Sequence, residues 1–257
     1  IDDSLKEVDE TVIVTLSNPS NATLGSDSVH TYTIIDNDTP PVVNFKATSS
    51  NGDESVSSKV ITVNLSAASS QNITVDYSVS GTATGSGTDY TLANGTLTIN
   101  AGSTSGIITI GNIVDDSLDE VDETIIVTLS SPSNATLGNN NVHTYVINDN
   151  ENAPSIGFNL ISSSNDESVA SQSIDVNLSS VSSKNITVNY SATGTATGSG
   201  TDYNLANGTL TINPGEVNGT ITITDIVDDS LDEANETVII TLSSPTNASL
   251  GTDIVHT

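Results

Sequence analysis

Carboxylate side chains are concentrated in a few short stretches of this sequence, where they either bind hard cations or repel one another. Between residues 39 and 151 most of them fall into four segments, namely 53–54, 89, 115–123 and 149–151. Two carboxylates about 5 Å apart repel by about 3 kcal/mol at an effective dielectric of about 20. The chain has 32 acidic residues against four lysines and no arginine. Most of this negative charge therefore has no basic partner in the sequence.

Calcium is the cation that these residue types fit best. It accepts about six to eight oxygen ligands in flexible geometry from carboxylates, amide side chains and backbone carbonyls. Magnesium keeps more of its own water, and zinc or copper prefers histidine or cysteine. The pattern Asp-Asp-x-Leu-x-Glu-x-x-Glu that begins at Asp115 lacks the glycine of an EF-hand loop and continues into a predicted strand. The pattern indicates a calcium site of another kind.

The acidic pattern belongs to a long internal repeat. Asp-Asp-Ser-Leu begins at residues 2, 115 and 228, and both differences, 115 − 2 and 228 − 115, are 113. Proline-containing junctions one period apart then divide the chain into the C-terminal part of a repeat (1–38), a complete repeat (39–151) and a repeat that lacks its last strand (152–257). We expect either a window on a longer tandem array or adjacent subunits that complete each other's domains.

Apolar residues alternate with period two, and no stretch has a helical period, which predicts an all-β protein. In the complete repeat we predict seven strands, near 42–47, 58–66, 71–82, 96–100, 105–114, 123–130 and 142–148. Seven short strands predict two packed antiparallel sheets. The core candidates are Val75, Tyr77, Ile99, Ile110, Ile125, Val127 and Leu129, and we expect all the aromatic residues to lie in the core.

Comparison of the three copies separates acids that are kept from acids that vary. Position 119 is Asp119 in one copy and Lys6 in another, and position 122 becomes Asn235, so we interpret these two positions as solvated and non-ligating. Four positions are acidic in every copy. They are Asp115, Asp116, Glu120 and Glu123, with the counterparts Asp2, Asp3, Glu7, Glu10 and Asp228, Asp229, Glu233, Glu236.

Three ordered motifs give the repeat a family resemblance. They are Gly81-Thr82-Ala83-Thr84-x-Gly-x-x-Asp89-Tyr90, then Ile113-Val114-Asp115-Asp116-x-Leu118-x-Glu120-x-x-Glu123, then Ile147-Asn148-Asp149-Asn150-Glu151. Together they resemble the Calx-beta domain over the whole 113-residue repeat. The resemblance implies tandem immunoglobulin-like antiparallel β-sandwiches that bind Ca²⁺ at one tip, as in regulatory domains of sodium–calcium exchangers and in large bacterial surface proteins.

The resemblance also implies a ligand set for each copy. In the complete repeat it comprises Glu54, Asp89, Asp115, Asp116, the carbonyl of Leu118, Glu120, Glu123, Asp149 and Glu151. In the third repeat it comprises Glu167, Asp202, Asp228, Asp229, Leu231, Glu233 and Glu236. In the first fragment it comprises Asp2, Asp3, Leu5, Glu7, Glu10, Asp36 and Asp38.

Plainer interpretations remain open for the same residues. The acidic runs could be solvated faces, and pairs such as Asp115–Asp116 could cap turns by hydrogen bonding to the backbone. The three histidines are flanked by valine or threonine in predicted strands, which favours a structural role at the surface. Paired carboxylates also occur in glycoside hydrolases, but three repeated acidic sites without an aromatic cleft favour a protein that is not an enzyme. Nucleic acid and direct membrane insertion are excluded as partners by the net charge of −28 and the absence of a long apolar run.

Repetition and calcium together predict an extracellular or cell-surface structural protein, a segment of an adhesin or filament made rigid by calcium at domain tips and junctions. Its partners would be calcium, neighbouring repeats or identical subunits in a rod, and cell-surface glycans or proteins. The alternative is a calcium-sensor module that regulates a larger membrane or secreted protein. A glycan-binding accessory module is a third hypothesis, and it would need an exposed aromatic platform.

Overall fold

The computed structural model describes residues 3–230 and 232–257, and the described chain consists of strands and loops without a helix. The all-β prediction is confirmed. Within those two ranges no helix has the length and apolar character needed to cross a membrane. Contacts divide the chain into two compact units, one formed by residues 1–115 and 123–148 and the other by residues 116–122 and 149–257.

The first unit contains a separate hairpin followed by the strands of the complete repeat. The hairpin pairs two exposed strands, β1 (Glu10–Thr15) and β2 (Val29–Ile34). The remaining strands are β3 (Val42–Phe45), β4 (Ser49–Asp53), β5 (Ser58–Leu65), β6 (Ile73–Gly81), β7 (Gly95–Ile99), β8 (Ser105–Gly111), β9 (Glu123–Ser133), β10 (Thr136–Leu137) and β11 (Val142–Asn148).

Two sheets of the complete repeat enclose one core. The strand order is β10-β3-β5-β8 in one sheet and β4-β11-β9-β6-β7 in the other. Alternate residues of both sheets meet in a single hydrophobic cluster, as the period-two pattern requires. Six of the seven core candidates are buried, and Tyr77 is half-buried against the same cluster. Tyr32 on β2 is exposed, so the expectation that every aromatic lies in the core is wrong for that residue.

All seven predicted strands of the repeat are present, together with two that the sequence did not reveal. The additional strands β4 and β10 pair in parallel, with β11 and β3 respectively, so the sheets are not purely antiparallel. The segment Ser-Ser-Asn-Gly-Asp of β4 has no apolar alternation, and β10 is two residues long. Strands held at an edge through backbone hydrogen bonds leave little signal in the side-chain pattern.

The second unit repeats the sandwich. Its strands are β12 (Ser155–Phe158), β13 (Ser171–Leu178), β14 (Ile186–Gly194), β15 (Gly208–Ile212), β16 (Asn218–Thr224), β17 (Val238–Thr246), β18 (Ser249–Leu250) and β19 (Val255–His256). The sheets have the orders β16-β13-β12-β18 and β15-β14-β17-β19 around a second hydrophobic cluster. Thr257, the counterpart of Thr144, donates its N–H to the carbonyl of Ile161.

A glycine fixes the path of the chain into the acidic pole of each sandwich. Gly81 ends β6 with φ +138°, and a Cβ there would lie 2.0 Å from the carbonyl oxygen of Thr124 on β9. Gly194 has the same φ and the same 2.0 Å approach to the carbonyl of Thr237. Only glycine fits such a position. The loop that follows each glycine therefore begins tightly packed against the strand after the main acidic loop.

Candidate metal centre

In the second unit, the acidic side chains come from three loops at one pole of the sandwich. Glu167 precedes β13, Asp202 lies between β14 and β15, and the remaining acids lie between β16 and β17. Antiparallel strands bring these connections to the same end of the molecule. The third-repeat cluster is defined here as Glu167, Asp202, Asp228, Asp229, Glu233 and Glu236.

Glu167 feels the other acids of the third-repeat cluster although its side chain is exposed. Displacement of water by the surrounding protein raises the pKa of its carboxyl group. The negative charges of three neighbours raise the pKa further, namely those of Asp228, Asp229 and Glu233. Part of the cost of ionising Glu167 therefore comes from the same groups that would surround a cation.

Glu236 forms the second half of the cluster. Desolvation again raises the pKa of its carboxyl group, and the charge of Asp202 raises it further. A hydrogen bond between these two side chains and the charge of Glu233 act in the same direction. A hydrogen bond between two carboxyl groups requires a shared proton, so Glu236 and Asp202 are close enough to contact one bound cation.

Backbone hydrogen bonds hold Asp202 in place. Its side-chain Oδ2 accepts the N–H of Thr197 at 2.5 Å, and its own N–H donates to the carbonyl of Thr197 at 2.9 Å. Its carbonyl oxygen accepts the N–H of Val227 at 3.0 Å, directly before Asp228. The loop that carries Asp202 is thus tied to the loop that carries the other aspartates.

The first unit has the same construction around Glu54, Asp89 and Asp115. Glu54 follows β4, is only 6% exposed, and donates its N–H to the carbonyl of Asn148 on β11. One carboxylate oxygen of Glu54 lies within 4.8 Å of one from Asp115. The Oδ2 of Asp89 accepts the N–H of Thr84 at 2.5 Å, and its carbonyl accepts the N–H of Val114 at 2.9 Å.

The other predicted ligands lie at the first residue of a strand or in the segments before and after strands. Glu10 and Glu123 begin β1 and β9, and Asp149 and Glu151 follow β11. Asp3, Leu5, Glu7, Asp36 and Asp38 flank the first hairpin, and Asp116, Leu118 and Glu120 lie in the segment 116–122 of the second unit. Two predicted ligands, Asp2 and Leu231, lie outside the described residues. Asp149 Oδ1 and Glu151 Oε2 are enclosed atoms without a hydrogen-bond partner.

The side chain of Asp116 hydrogen-bonds to the backbone and shapes a turn, as considered above for the Asp115–Asp116 pair. Its Oδ1 accepts the N–H of Leu118 at 2.7 Å, and Asp3 makes the same bond to Leu5 at 2.8 Å. These are Asx turns, which shape the loop and fix the direction of the Leu118 carbonyl. Turn formation uses one carboxylate oxygen and leaves the other available for a cation.

Asp119 is not the solvated residue that we expected from its variation. It is 2% exposed, and its carboxylate accepts hydrogen bonds from Ser182 Oγ at 2.6 Å and Lys184 Nζ at 2.8 Å. Lys184 Nζ also lies 3.5 Å from Asp149 Oδ2. The interpretation failed because a charge can change between copies when its partner changes too. Asp122 is exposed, and its Oδ1 accepts the N–H of Asp149 at 3.2 Å, a role that asparagine can also fill.

Lys184 provides a positive charge beside Asp119 and Asp149. Desolvation opposes the charged form of Lys184, but the hydrogen bond and charge of Asp119, with smaller contributions from Asp149, outweigh it and raise the pKa of the ammonium group. In the first unit, the hydrogen bond from Lys6 lowers the pKa of Asp36. Lysine side chains therefore already neutralise part of these two acidic regions.

Two of the three histidines are buried, which corrects the expected surface role. His143 Nδ1 lies 2.6 Å from the carbonyl of Ala47, and Nε2 lies 2.9 Å from Ser50 Oγ. Because a carbonyl only accepts, Nδ1 donates to it, and Nε2 is hydrogen-bonded to the hydroxyl group. His256 makes the same pair of bonds to Leu160 and Ser163. Both ring nitrogens are used, so these histidines hold loops in place, and the acidic clusters remain pure oxygen sites.

The residues that sequence reasoning missed are Lys184 and Ser182. The sequence contained a signal for Lys184, because it is one of four lysines in the chain and replaces Gln71 one period earlier, as Asp119 replaces Lys6. Reading the two variable positions as a pair would have suggested contact. Ser182 gave no such signal because the serine is common to both copies and the chain is rich in serine.

Comparison with solved structures finds similarity to CBD12 and CBD1 domains of Calx proteins. CBD12 from CALX1.2 is 23% identical, with 83% of each chain covered and a TM-score of 0.41. The calcium binding domain CBD12 of CALX1.1 is also 23% identical, with 79% of each chain covered and a TM-score of 0.40. The apo-form Calx CBD1 domain is 25% identical over 44% of this chain and 99% of its own, with a TM-score of 0.40.

No curated protein is similar enough to this chain to match it. The sequence model of the Calx-beta domain matches residues 36–151 and again residues 149–254. These two tandem matches cover well over half of the sequence, and they span the two sandwiches and their acidic loops. The chain belongs to the Calx-beta domain family.

Proposed function

We propose that this chain is a calcium-binding repeat protein in which Ca²⁺ binds at the acidic pole of each sandwich. The observation that carries the proposal is the third-repeat cluster, where acids from three loops meet and where desolvation and then the neighbouring carboxylates raise the pKa values of Glu167 and Glu236. All the side chains concerned offer oxygen, and they come from three separate loops. Such a flexible set of carboxylates fits calcium better than magnesium or a transition metal.

The candidate ligands divide into pre-positioned and adaptable groups. Asp89 and Asp202 are fixed by backbone hydrogen bonds and would define one side of the site. In the first unit Glu123, and in the second unit Glu233 and Glu236, carry longer side chains and would close the other side. Bound calcium would supply the positive charge that lets all these groups ionise together. The chain's own contribution is to hold its oxygens close despite their repulsion.

The wider role that we propose is structural, at the cell surface or outside the cell. Near-identical repeats joined through short proline-containing segments suit a rod or filament that acts as an adhesin spacer. Extracellular modules bind calcium with Kd values of about 10⁻⁴ to 10⁻³ M, so even weak sites would be largely filled outside the cell. Neighbouring repeats, identical subunits, and cell-surface glycans or proteins are the partners that this role would involve.

Thermal unfolding of the full chain tests the calcium proposal. We expect millimolar calcium to raise the midpoint by about 10 °C relative to EDTA, and magnesium to have a much smaller effect. Asp228→Asn removes one carboxylate from the third-repeat cluster and should reduce the calcium-dependent increase. Asp175→Asn is the matched control, because the side chain of Asp175 is exposed on β13 and its one described hydrogen bond is accepted from the hydroxyl group of Thr220.

Three results would overturn parts of the proposal. Identical unfolding curves in calcium and EDTA would show that the acidic poles are only solvated surface. An equal loss of calcium response in Asp228→Asn and Asp175→Asn would exclude the named cluster. Micromolar affinity with a large calcium-driven change in shape would replace the structural role by that of a sensor.

A further inference from the structure

Each unit contains a contact between two loops that is held by the same hydrogen bonds. The charged side chains at the two contacts differ. In the first unit, the carbonyl of Lys6 accepts the N–H of Ser70 at 2.9 Å and the hydroxyl group of Ser69 at 3.2 Å. Lys6 and Ser69 also form an isolated parallel bridge. Ser69 is 1% exposed, and its Oγ also accepts the N–H of Gln71 at 3.1 Å. We call this arrangement the serine-loop contact.

The second unit contains the serine-loop contact 113 residues later. The carbonyl of Asp119 accepts the N–H of Ser183 at 2.9 Å and the hydroxyl group of Ser182 at 3.1 Å. Ser182 is again 1% exposed, and its Oγ accepts the N–H of Lys184 at 3.1 Å. The parallel bridge also recurs between Asp119 and Ser182. Backbone and serines are therefore constant parts of the contact.

The lysine lies on opposite sides of the contact in the two units. In the first unit the acidic loop brings a lysine, Lys6, which pairs with Asp36, and the serine loop ends in neutral Gln71. In the second unit the acidic loop brings Asp119, and the serine loop ends in Lys184, which contacts Asp119 and Asp149. Each contact therefore places one lysine beside an aspartate, Asp36 or Asp149. The lysine comes from the acidic loop in the first unit and from the serine loop in the second.

Mixed combinations of the two contacts would be unfavourable. A loop of the Lys6 kind on a serine loop of the Lys184 kind would bring two ammonium groups together. A loop of the Asp119 kind on a serine loop of the Gln71 kind would bury a carboxylate without a cation beside it. Burying a charge without its partner is far more costly than burying the pair. Specificity arises when the wrong combination is penalised in this way.

We propose that the residue pair 119/184, with its counterpart 6/71, is a charge code that determines which Calx-beta repeat can dock on which acidic loop. An aspartate loop accepts a repeat whose serine loop ends in lysine, and a lysine loop accepts one that ends in glutamine. Asp232 occupies the same position in the third acidic loop. The partner that fits this loop is a Calx-beta repeat with Ser-Ser-Lys at its serine loop.

Amide hydrogen exchange of the full chain tests the code, because both contacts can be followed in one molecule. The readouts are the amides of Ser183 and Ser70, which donate to Asp119 and Lys6. We expect Lys184→Gln alone and Asp119→Lys alone each to speed exchange at Ser183 by about tenfold or more, with Ser70 unchanged. The double variant Asp119→Lys/Lys184→Gln recreates the first contact and should return Ser183 to within about threefold of the parent.

The reciprocal variants and a control make the test decisive. Gln71→Lys should speed exchange at Ser70, and Lys6→Asp/Gln71→Lys should restore protection. Lys46→Gln removes one exposed lysine outside both contacts and should leave Ser70 and Ser183 unchanged. The proposal is overturned if the double variants exchange as fast as the product of the single effects. It is also overturned if both single variants leave Ser183 protected, because the charges would then not matter.

Discussion

Two acidic regions of the second unit differ in where their counter-charge comes from. At Asp119 and Asp149, the chain provides Lys184, and Asp119 is buried. In the third-repeat cluster, desolvation raises the pKa values of Glu167 and Glu236, the charges of other carboxylates raise them further, and both side chains are exposed. Similar side chains are thus folded into the protein in one region and held at its surface in the other.

This difference indicates what the third-repeat cluster lacks. A carboxylate can leave water when a cation and hydrogen bonds replace its hydration. Lys184 and Ser182 do this for Asp119. In the third-repeat cluster the neighbouring charges that raise the pKa values of Glu167 and Glu236 are those of other acids, so a cation from solution has much to contribute there.

Supplying an internal cation should convert one region into the other, and among the changes that compare the two regions it should have the largest effect. Glu233→Lys replaces a charge that raises the pKa of both Glu167 and Glu236. The variant should unfold about 5 °C higher than the parent in EDTA and lose part of its calcium-dependent increase. Thermal unfolding in EDTA and in calcium measures both changes. Asp27→Lys makes the same change of charge on an exposed loop of the first unit, and a similar gain there would refute a local effect.

Protonation of Glu167 and Glu236 should reduce the repulsion within the third-repeat cluster, with a smaller effect on stability than Glu233→Lys. Glu167 and Glu236 have pKa values raised above the ordinary value of 4.5 in the folded state, so the folded protein binds more protons than the unfolded protein in this range. Their contribution to stability is therefore favourable below about pH 4.5 and is lost as the pH rises through the raised values. The calcium-free Glu167→Gln/Glu236→Gln variant should lose this pH dependence in urea unfolding. An unchanged pH profile in that variant would contradict the pKa assignment.

High salt should slow amide exchange in the third-repeat cluster and leave it nearly unchanged beside Asp119, and we expect this difference to be smaller than the effects above. Raising the salt concentration from about 0.1 M to about 1 M shortens the Debye length from about 10 Å to about 3 Å and weakens repulsion between exposed charges. The amide of Val227, which is bonded to Asp202, should then exchange more slowly in calcium-free protein. The amide of Ser183 beside the buried Asp119 should change little. Equal responses at the two amides would remove the distinction between the regions.

The smallest effect is expected at Asp122. Its Oδ1 accepts the N–H of Asp149, and the amide oxygen of asparagine can do the same. Asp122→Asn should therefore leave exchange at the Asp149 amide within about twofold of the parent. Asp122→Ala, which has no acceptor, is the control and should speed that exchange. A large effect of Asp122→Asn would show that the carboxylate charge itself matters, as it does for a metal ligand.

The sequence predicted the fold well where side chains carry the pattern. Val75, Ile125 and Val127 are buried because alternate positions of paired strands face one core. Strand β4 left no such trace, because parallel pairing of Ser49–Asp53 with β11 depends on backbone hydrogen bonds. The parallel pairing of β4 and β10 therefore could not be predicted from apolar periodicity.

The acidic poles were predictable as a group, and their internal divisions were not. Carboxylates of Glu167, Asp228 and Glu233 were expected to meet, and electrostatic interactions connect them. Asp119 was misassigned because each position was compared with its own copies, whereas burial depends on the pair that it forms with Lys184. Contacts between a loop and a turn 65 residues further along the chain are set by the fold and are not visible in local spacing.

Calorimetric titration of the full chain with calcium tests the central claim most directly, because it counts bound ions. The account predicts calcium binding to the parent and fewer ions per chain in Asp228→Asn/Glu236→Gln. Asp175→Asn should bind as many ions as the parent, since Asp175 lies on β13 away from the acidic pole. Absence of binding in the parent, or an unchanged number of ions in Asp228→Asn/Glu236→Gln, would contradict the assignment of the third-repeat cluster as a calcium site.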